Sequence, residues 1–200
     1  MVVTVIFPQE MADGNGFARR DRLSLEDFST LRSVDGRTQW QFFVPVQTSH
    51  LGLEITPLEG KGIGILASRG FQRGERVLAE SPLVAWSSAA GSSSAHDWTD
   101  LDALVGALAA SDQSDFFGLC DKHSGCGRGK TAHGIWNSNS FPTEDVMGGG
   151  QAVSTDGIVR SAVFRICSRL NHSCRPNCFA AWSATRGQLT VHALCDISPG

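Results

Sequence analysis

The sequence predicts a mostly β fold with a helical insert between two β-rich parts. In residues 51–86, short apolar runs alternate with glycine-rich turns, which is typical of consecutive strands. In residues 87–157, a stretch rich in serine and alanine precedes apolar residues at helical spacing. In residues 158–200, two apolar runs flank a short turn, as they do in a β-hairpin.

The composition is that of an ordinary globular protein. With 200 residues, 41% of them hydrophobic and 18% charged, the chain can bury a core. A formal net charge of −3 provides no field that would attract nucleic acid or an anionic membrane, so we expect neither as a direct partner. No run approaches the roughly 18 apolar residues that cross a bilayer, and the apolar start lacks the basic residues of a secretory signal. We therefore expect a nuclear or cytoplasmic location, where the six cysteines would be thiols or metal ligands.

Residues 1–50 are predicted to be a mobile N-terminal extension. They mix charged residues with glycine, serine and threonine and show little sustained periodicity. Ordered structure is expected to begin near Trp40, where an apolar run leads towards the first strand.

The first β-rich part should contain three strands. Leu51, Leu53 and Ile55 alternate with smaller or polar residues, as a half-buried strand requires. A glycine-rich bend at 59–64 precedes a second apolar run, and a third strand is expected over 76–80. The glycine-rich bend could be an ordinary hairpin turn or could lie against a ligand.

The insert should begin with a linker and continue with a helix. Residues 87–95 are rich in serine, alanine and glycine, which predicts flexibility. Thr99 is the expected N-cap of a helix that ends near Ala110. A polar loop is expected over 120–130, followed by a short ordered piece over 135–141.

The second β-rich part centres on a polar loop. Residues 158–170 mix apolar and basic side chains and lead directly into the loop at 171–177. Apolar runs at 178–182 and 188–194 flank the turn residues 185–187, which predicts a hairpin.

The loop at 171–177 reads Asn-His-Ser-Cys-Arg-Pro-Asn and is dense in reactive groups. Three chemistries fit these residues. Cys174 and His172 could form a thiolate and its base, although residues two apart rarely face each other. His172, Cys174 and Cys178 could begin a zinc site, and the backbone of the loop could bind a ligand. A second group of potential zinc ligands has irregular spacing and is a weaker pattern: Cys120, His123, Cys126 and His133.

The heptapeptide at 171–177 resembles the signature of SET-domain protein lysine methyltransferases. Other segments resemble the same family and follow its order: 60–65, 73–75 and 80–83 before the signature, and 189–200 after it. The insert, with Asn-Ser-Phe at 139–141, is most similar to the split-SET branch of SMYD-type and fungal proteins. The chain departs from SMYD proteins in lacking their MYND-type zinc-finger pattern.

The resemblance implies a SET fold over residues 51–200, in which small curved sheets surround a knot-like core. The segment that completes the knot in this family is expected beyond Gly200. The chain is therefore expected to be incomplete at its C-terminal end.

The resemblance also implies a binding site for S-adenosylmethionine. Glycine allows the backbone of the glycine-rich bend to approach the cofactor closely. The cofactor-binding positions that the resemblance implies are Lys61, Gly62, Gly64, Asn139, Arg169, Asn171 and His172. Cys174 is similar to the cysteine that joins three further cysteines around a structural zinc, and those partners are expected after Gly200. The remaining cysteines of this part are expected to be small buried side chains: Cys167, Cys178 and Cys195.

The function that the resemblance implies is methyl transfer from S-adenosylmethionine to a lysine of a histone or another protein. The lysine amine must be neutral to attack, so its site should desolvate it and lower its pKa. The family's catalytic tyrosine has no counterpart here, because the chain contains no tyrosine. No catalytic side chain is therefore assigned. The alternative is a truncated, inactive SET-like protein that acts as an interaction module.

Overall fold

The prediction of a mostly β fold with a helical insert is confirmed by the computed structural model. The structure describes residues 3–5, 48–59, 61–89, 95–124, 129–144 and 158–200. The strands are β1 (Thr4–Val5), β2 (Leu53–Leu58), β3 (Gly62–Ala67), β4 (Arg76–Glu80), β5 (Val84–Ala89), β6 (Phe141–Pro142), β7 (Ile158–Val163), β8 (Asn171–His172), β9 (Cys178–Ser183) and β10 (Gln188–Ala193). The helices are α1 (Ala95–Gly106), α2 (Ala110–Phe117) and α3 (Ala132–Asn139), with 3-10 turns at Ser49–Leu51 and Cys167–Arg169.

The strands form three small sheets. The first has five strands in the order β4-β10-β9-β1-β8, the second is the β2–β3 hairpin, and the third has the order β5-β7-β6. The predicted β9–β10 hairpin is confirmed, with Gln188 opposite Ser183 and Ala193 opposite Cys178. Gly187 closes its turn with φ of 60°, a left-handed conformation that glycine adopts at little cost.

The first residues of the chain belong to the five-stranded sheet. β1 lies between β8 and β9 and is parallel to both, with Val5 opposite His172 and Cys178. Val3 is completely buried, and its backbone N–H donates to the carbonyl of Ile65 at 2.8 Å. The prediction of a mobile extension over 1–50 is therefore wrong for residues 3–5, and also for the 3-10 turn that begins at Ser49. The reason is that β8 and β9 have backbone N–H and C=O groups along their facing edges, and β1 pairs with them. Trp40 lies outside the described residues.

The insert begins later than predicted, and its first helix begins earlier. β5 extends to Ala89 and pairs with β7, so the linker predicted from Ser87 is wrong for its first three residues. Backbone pairing with β7 outweighs the low strand propensity of serine and alanine there. α1 begins at Ala95, which places Thr99 inside the helix instead of at its N-cap. A further helix, α3, replaces the short ordered piece expected over 135–141, and Thr131 caps it by accepting from the N–H of Gly134 at 2.9 Å.

Two apolar clusters hold these elements together. The larger lies between the five-stranded sheet and the β2–β3 hairpin, and its fully buried members include Leu53, Ile65, Phe164, Leu189 and Ile197. The smaller lies within the insert and packs α1, α2 and α3 against β5 and β7 through Leu101, Phe116, Leu119, Ile135 and Val163. Each large side chain buried in this way contributes about 1.5–3 kcal/mol. Among the described helices, none combines the length and apolar character needed to cross a bilayer.

Candidate functional site

The loop at 171–177 is held at both ends by β1. Thr4 pairs with Asn171 in the parallel ladder, and its backbone N–H donates to Asn177 Oδ1 at 2.8 Å. The backbone N–H of Asn177 donates in return to Thr4 Oγ1 at 3.4 Å. Asn177 is buried, so these bonds satisfy a polar side chain that would otherwise be costly to bury. β1 therefore fixes the distance between the two ends of the loop.

The structure brings two predicted site residues, Gly64 and Asn171, into direct contact. Asn171 Nδ2 donates a long hydrogen bond of 3.5 Å to the carbonyl of Ile63. A Cβ added at Gly64 would lie closer than 3.0 Å to that Nδ2 and to Cδ1 of Leu58. Only glycine leaves room for the Asn171 amide against this strand. The contact joins the glycine-rich bend to the loop, although residues 64 and 171 are 107 positions apart in the sequence.

Lys61 and Gly62 lie at the solvent end of the same hairpin. The Lys61 N–H donates to the carbonyl of Leu58 at 3.1 Å, which closes the turn between β2 and β3. Gly62 has φ of 71°, so the turn requires a residue that tolerates the left-handed region. Lys61 is exposed, and Gly62 is half-buried. A Cβ added at Gly62 would meet nothing within 4 Å, whereas one added at Gly64 would meet the Asn171 amide.

A carboxylate that sequence reasoning left without a role supports the turn before the loop. Glu80, at the end of β4, accepts the Ile166 N–H at 2.9 Å through Oε1, and at 3.1 Å through Oε2. It accepts the Cys167 N–H at 2.8 Å through Oε2. Burial raises the pKa of Glu80, and these N–H donors oppose that rise. Burial and the nearby Glu80 charge together raise the pKa of the Cys167 thiol. The sequence signal that could have identified Glu80 is an acidic residue at the end of an apolar strand.

Asn139 faces the insert. Its Nδ2 donates to the carbonyls of Cys120 and Ile135, both at 2.6 Å. Its own carbonyl accepts from Ser168 Oγ at 2.9 Å, which ties α3 to the 3-10 turn. Asn139 is buried, and the structure therefore uses its amide group to join α3 to the loop that follows α2.

Arg169 makes similar contacts and is also buried. Its Nε donates to the carbonyl of Arg165 at 3.0 Å, and its Nη1 donates to the carbonyl of Gly118 at 3.3 Å. Lys130 Nζ donates to the two carbonyls on either side of Gly118, at 2.9 and 2.8 Å. Burial lowers the pKa of both Arg169 and Lys130. The hydrogen bonds of Asn139 and Arg169 thus join the segment after α2 and the helix α3 to the 3-10 turn that precedes the loop at 171–177.

The structure also brings His172 and Cys174 together. Cys174 Sγ lies 3.6 Å from His172 Nε2, although the sequence suggested that residues two apart would not face each other. Cys174 is exposed, whereas Cys167 and Cys178 are buried as expected and Cys195 is exposed, contrary to expectation. Burial raises the pKa of Cys178 to about 12, which keeps that thiol protonated.

The part of the chain that the structure describes contains no group of three or more His, Cys, Asp or Glu side chains placed to hold a metal. In the second group of potential zinc ligands, Cys126 lies outside the described residues. The neighbouring Asp121 carboxylate accepts hydrogen bonds from the backbone N–H groups of His123 at 2.8 Å and Thr131 at 3.1 Å. These bonds join Asp121 to His123 and to Thr131, the residue that caps α3.

Two comparisons with known proteins bear on this site. The SET domain family matches residues 62–200, which include the glycine-rich strand, the insert and the loop at 171–177. A protein of Schizosaccharomyces pombe named histone-lysine N-methyltransferase Set5 is 27% identical to the chain over 147 residues. The chain spans 39% of the length of that relative, and the match covers 74% of the chain. With the Gly64–Asn171 contact in place and most of its length matched, the chain belongs to the SET-domain family.

Proposed function

We propose that the chain binds S-adenosylmethionine where β3 meets the Asn171 loop, and that its methyl group is transferred to a lysine of a protein substrate. The observation that carries the proposal is the contact between Gly64 and Asn171, which joins the glycine-rich strand to the signature loop. The S. pombe relative is named for transfer to histone lysines, which makes a histone the first substrate to test. A nuclear or cytoplasmic location agrees with such a substrate.

The residues around this contact fit a ligand that has both polar and apolar parts. Gly64 has no side chain, so the backbone of β3 can be approached closely beside the Asn171 amide. Asn171 and His172 are half-buried and contribute polar groups, while Ile63 and Leu58 contribute apolar surface. Lys61 and Gly62 would contact the ligand through their backbone at the turn. Arg169 and Asn139 would line the pocket from the insert side, using main-chain groups.

When bound, the cofactor supplies an electrophilic methyl group on a sulfonium centre. The chain's contribution is to bind and orient this group and to exclude water from the approaching amine. Desolvation favours the neutral form of a lysine amine, which is the form that can attack. Alignment of the two reacting atoms supplies a large part of the rate enhancement in reactions of this kind. No side chain of this chain is assigned a catalytic role.

Cys174 is proposed as one ligand of a structural zinc ion. Its exposed thiol and the imidazole of His172 at 3.6 Å are ligand types that zinc prefers. The other ligands would come from outside the described residues. Stoichiometric zinc in the purified protein, lost in Cys174→Ser, is the expected result by elemental analysis.

The pocket is tested by calorimetric titration of S-adenosylmethionine into the purified chain, with circular dichroism to confirm folding. Asn171→Ala should abolish measurable binding, because it removes the amide that packs against Gly64. The matched control is Asn137→Ala, an exposed asparagine on α3 that should leave the affinity unchanged. Unchanged affinity in Asn171→Ala would show that the pocket is elsewhere. A folded wild-type protein that binds no cofactor would favour the interaction module without turnover.

A further inference from the structure

The turn that precedes the signature loop is anchored by a residue far away in the sequence. The 3-10 turn at Cys167–Arg169 closes through the Arg169 N–H to Ile166 carbonyl bond of 2.8 Å and the Leu170 N–H to Cys167 carbonyl bond of 3.0 Å. The first N–H groups of such a turn have no partner within the turn itself. Glu80 accepts two of them, those of Ile166 and Cys167, at 2.8–3.1 Å.

The charge on Glu80 makes this anchor stronger than a neutral one. A carboxylate accepts through both oxygens, and hydrogen bonds to a charged acceptor are roughly twice as strong as neutral ones. When the carboxylate is protonated, one oxygen becomes a hydroxyl donor and can no longer accept an N–H in the same geometry. The hold on the turn therefore depends on the ionised state of Glu80.

The anchored turn leads directly into the proposed binding site. Leu170 follows the turn, and Asn171 then enters β8 and packs against Gly64. Two helices of the insert also contact this segment. Ser168 Oγ donates to the Asn139 carbonyl of α3, and Arg165 forms ion pairs with Asp112 and Asp115 of α2, both at 2.5 Å. Glu80 links the turn to the five-stranded sheet through β4.

We propose that Glu80 is a positioning residue that fixes the turn at 166–169 and thereby orients Asn171 towards Gly64 for cofactor binding. The inference rests on the proposed function and deepens it. It assigns to the β4 strand a role in the affinity for S-adenosylmethionine, which Glu80 exerts through the backbone N–H groups of Ile166 and Cys167.

The electrostatic surroundings of Glu80 predict how this effect varies with pH. Burial raises the pKa of Glu80, while the Cys167 thiol and the Arg169 guanidinium face it from the turn. On the neighbouring strand β10, the residue opposite Glu80 is the apolar Leu189. Protonation of Glu80 should therefore occur at a pH above that of an ordinary carboxyl group. The affinity for S-adenosylmethionine should fall as the pH is lowered through that pKa.

The test measures the dissociation constant for S-adenosylmethionine against pH in the wild type, in Glu80→Gln and in Glu75→Gln. Glu75 is the matched control, because it also accepts a backbone N–H, that of Gln72 at 2.9 Å, but faces solvent beside Arg69. Glu80→Gln should bind about tenfold more weakly at neutral pH, since it loses one charged acceptor. It should also lack the pH-dependent loss. Because His172 carries an ionisable imidazole in the same loop, only the part of the pH profile that disappears in Glu80→Gln is assigned to Glu80.

Hydrogen exchange separates this inference from the proposed function. Exchange at the Ile166 and Cys167 amides should be faster in Glu80→Gln than in the wild type or in Glu75→Gln, with or without ligand. An unchanged affinity and pH profile in Glu80→Gln would overturn the inference, whatever the exchange rates. A wild type that binds no S-adenosylmethionine would overturn the proposed function, and faster exchange in Glu80→Gln would then support only the anchoring of the turn. If Glu80→Gln fails to fold, a wild-type affinity that does not fall at low pH would overturn the inference.

Discussion

Replacing Gly64 by alanine should weaken cofactor binding far more than it weakens the fold. The added Cβ would lie within 3.0 Å of Asn171 Nδ2 and of Cδ1 of Leu58, and 3.2 Å from Cγ of Leu58. Both neighbours are side-chain ends, so they can move, but Asn171 can move only by leaving its position against β3. The substitution therefore displaces the residue on which the proposed pocket depends.

The cost to stability follows from two opposing effects. Overpacking of a buried position costs about 1–3 kcal/mol. The reduced freedom of the unfolded chain returns about 0.4–1 kcal/mol when glycine becomes alanine. The net loss should be about 1–2 kcal/mol, which lowers the Tm by about 2–8 °C for a domain of this size. The affinity for S-adenosylmethionine should fall by about tenfold or more, which corresponds to about 1.4 kcal/mol or more.

The control for this prediction is Gly74→Ala, which should destabilise the fold without touching the pocket. Gly74 has φ of 84° and open space around its Cα, so alanine there costs about 1–2 kcal/mol through backbone strain alone. Calorimetric titration and thermal unfolding are measured on both variants. The reasoning is refuted if Gly64→Ala loses stability as predicted but binds the cofactor as tightly as Gly74→Ala does.

Three further predictions concern the insert, the buried carboxylate and the thiols. Asn139→Ala should lower the free energy of unfolding by about 1–3 kcal/mol in urea titrations, because the buried Ile135 carbonyl and the partly buried Cys120 carbonyl lose this donor; a loss below the error of the titration would contradict the role given to its amide. The pKa of Glu80 is higher in the folded protein than in the unfolded chain. Protonation of Glu80 therefore stabilises the fold in full below the ordinary carboxyl pKa, and this stabilisation is lost as the pH rises through the higher pKa of the folded protein. The free energy of unfolding of the wild type should therefore increase relative to Glu80→Gln as the pH falls through this window, by about 1.4 kcal/mol per unit of pKa difference, and a constant difference between the two proteins would count against it. After a chelator has removed bound zinc, Cys174 should react with a thiol reagent in the folded protein, whereas Cys167 and Cys178 should react only after unfolding, as peptide mass spectrometry of the labelled protein can show.

Much of the fold could be predicted from local pattern alone. The β9–β10 hairpin has alternating apolar residues and a turn that ends in Gly187, so its register depends on residues close in sequence. The β2–β3 hairpin has the same kind of signal around Gly62. The hairpin predicted at 178–194 and the two strands predicted around the glycine-rich bend are confirmed, because a hairpin is specified by its turn and by the alternation on either side of it.

The role of β1 could not be predicted in the same way. Thr4–Val5 is too short to show a period, and its partners, Asn171–His172 and Cys178, are more than 160 residues away. Strand pairing at that distance depends on which sheet edges remain open after the other strands have paired. The same limit applies to Ser87–Ala89, which have a linker composition and yet pair with β7.

The sequence by itself determined the alternation that builds the two hairpins, the signature at 171–177 and the family to which the chain belongs. Only the tertiary structure decided what the polar side chains bind. It placed Asn171 against Gly64, turned the amide of Asn139 towards the insert and set Glu80 beneath the 3-10 turn. The physical reason is that a local pattern specifies which backbone groups pair within an element, whereas a buried side chain bonds to whatever groups the packing of distant elements leaves unpaired.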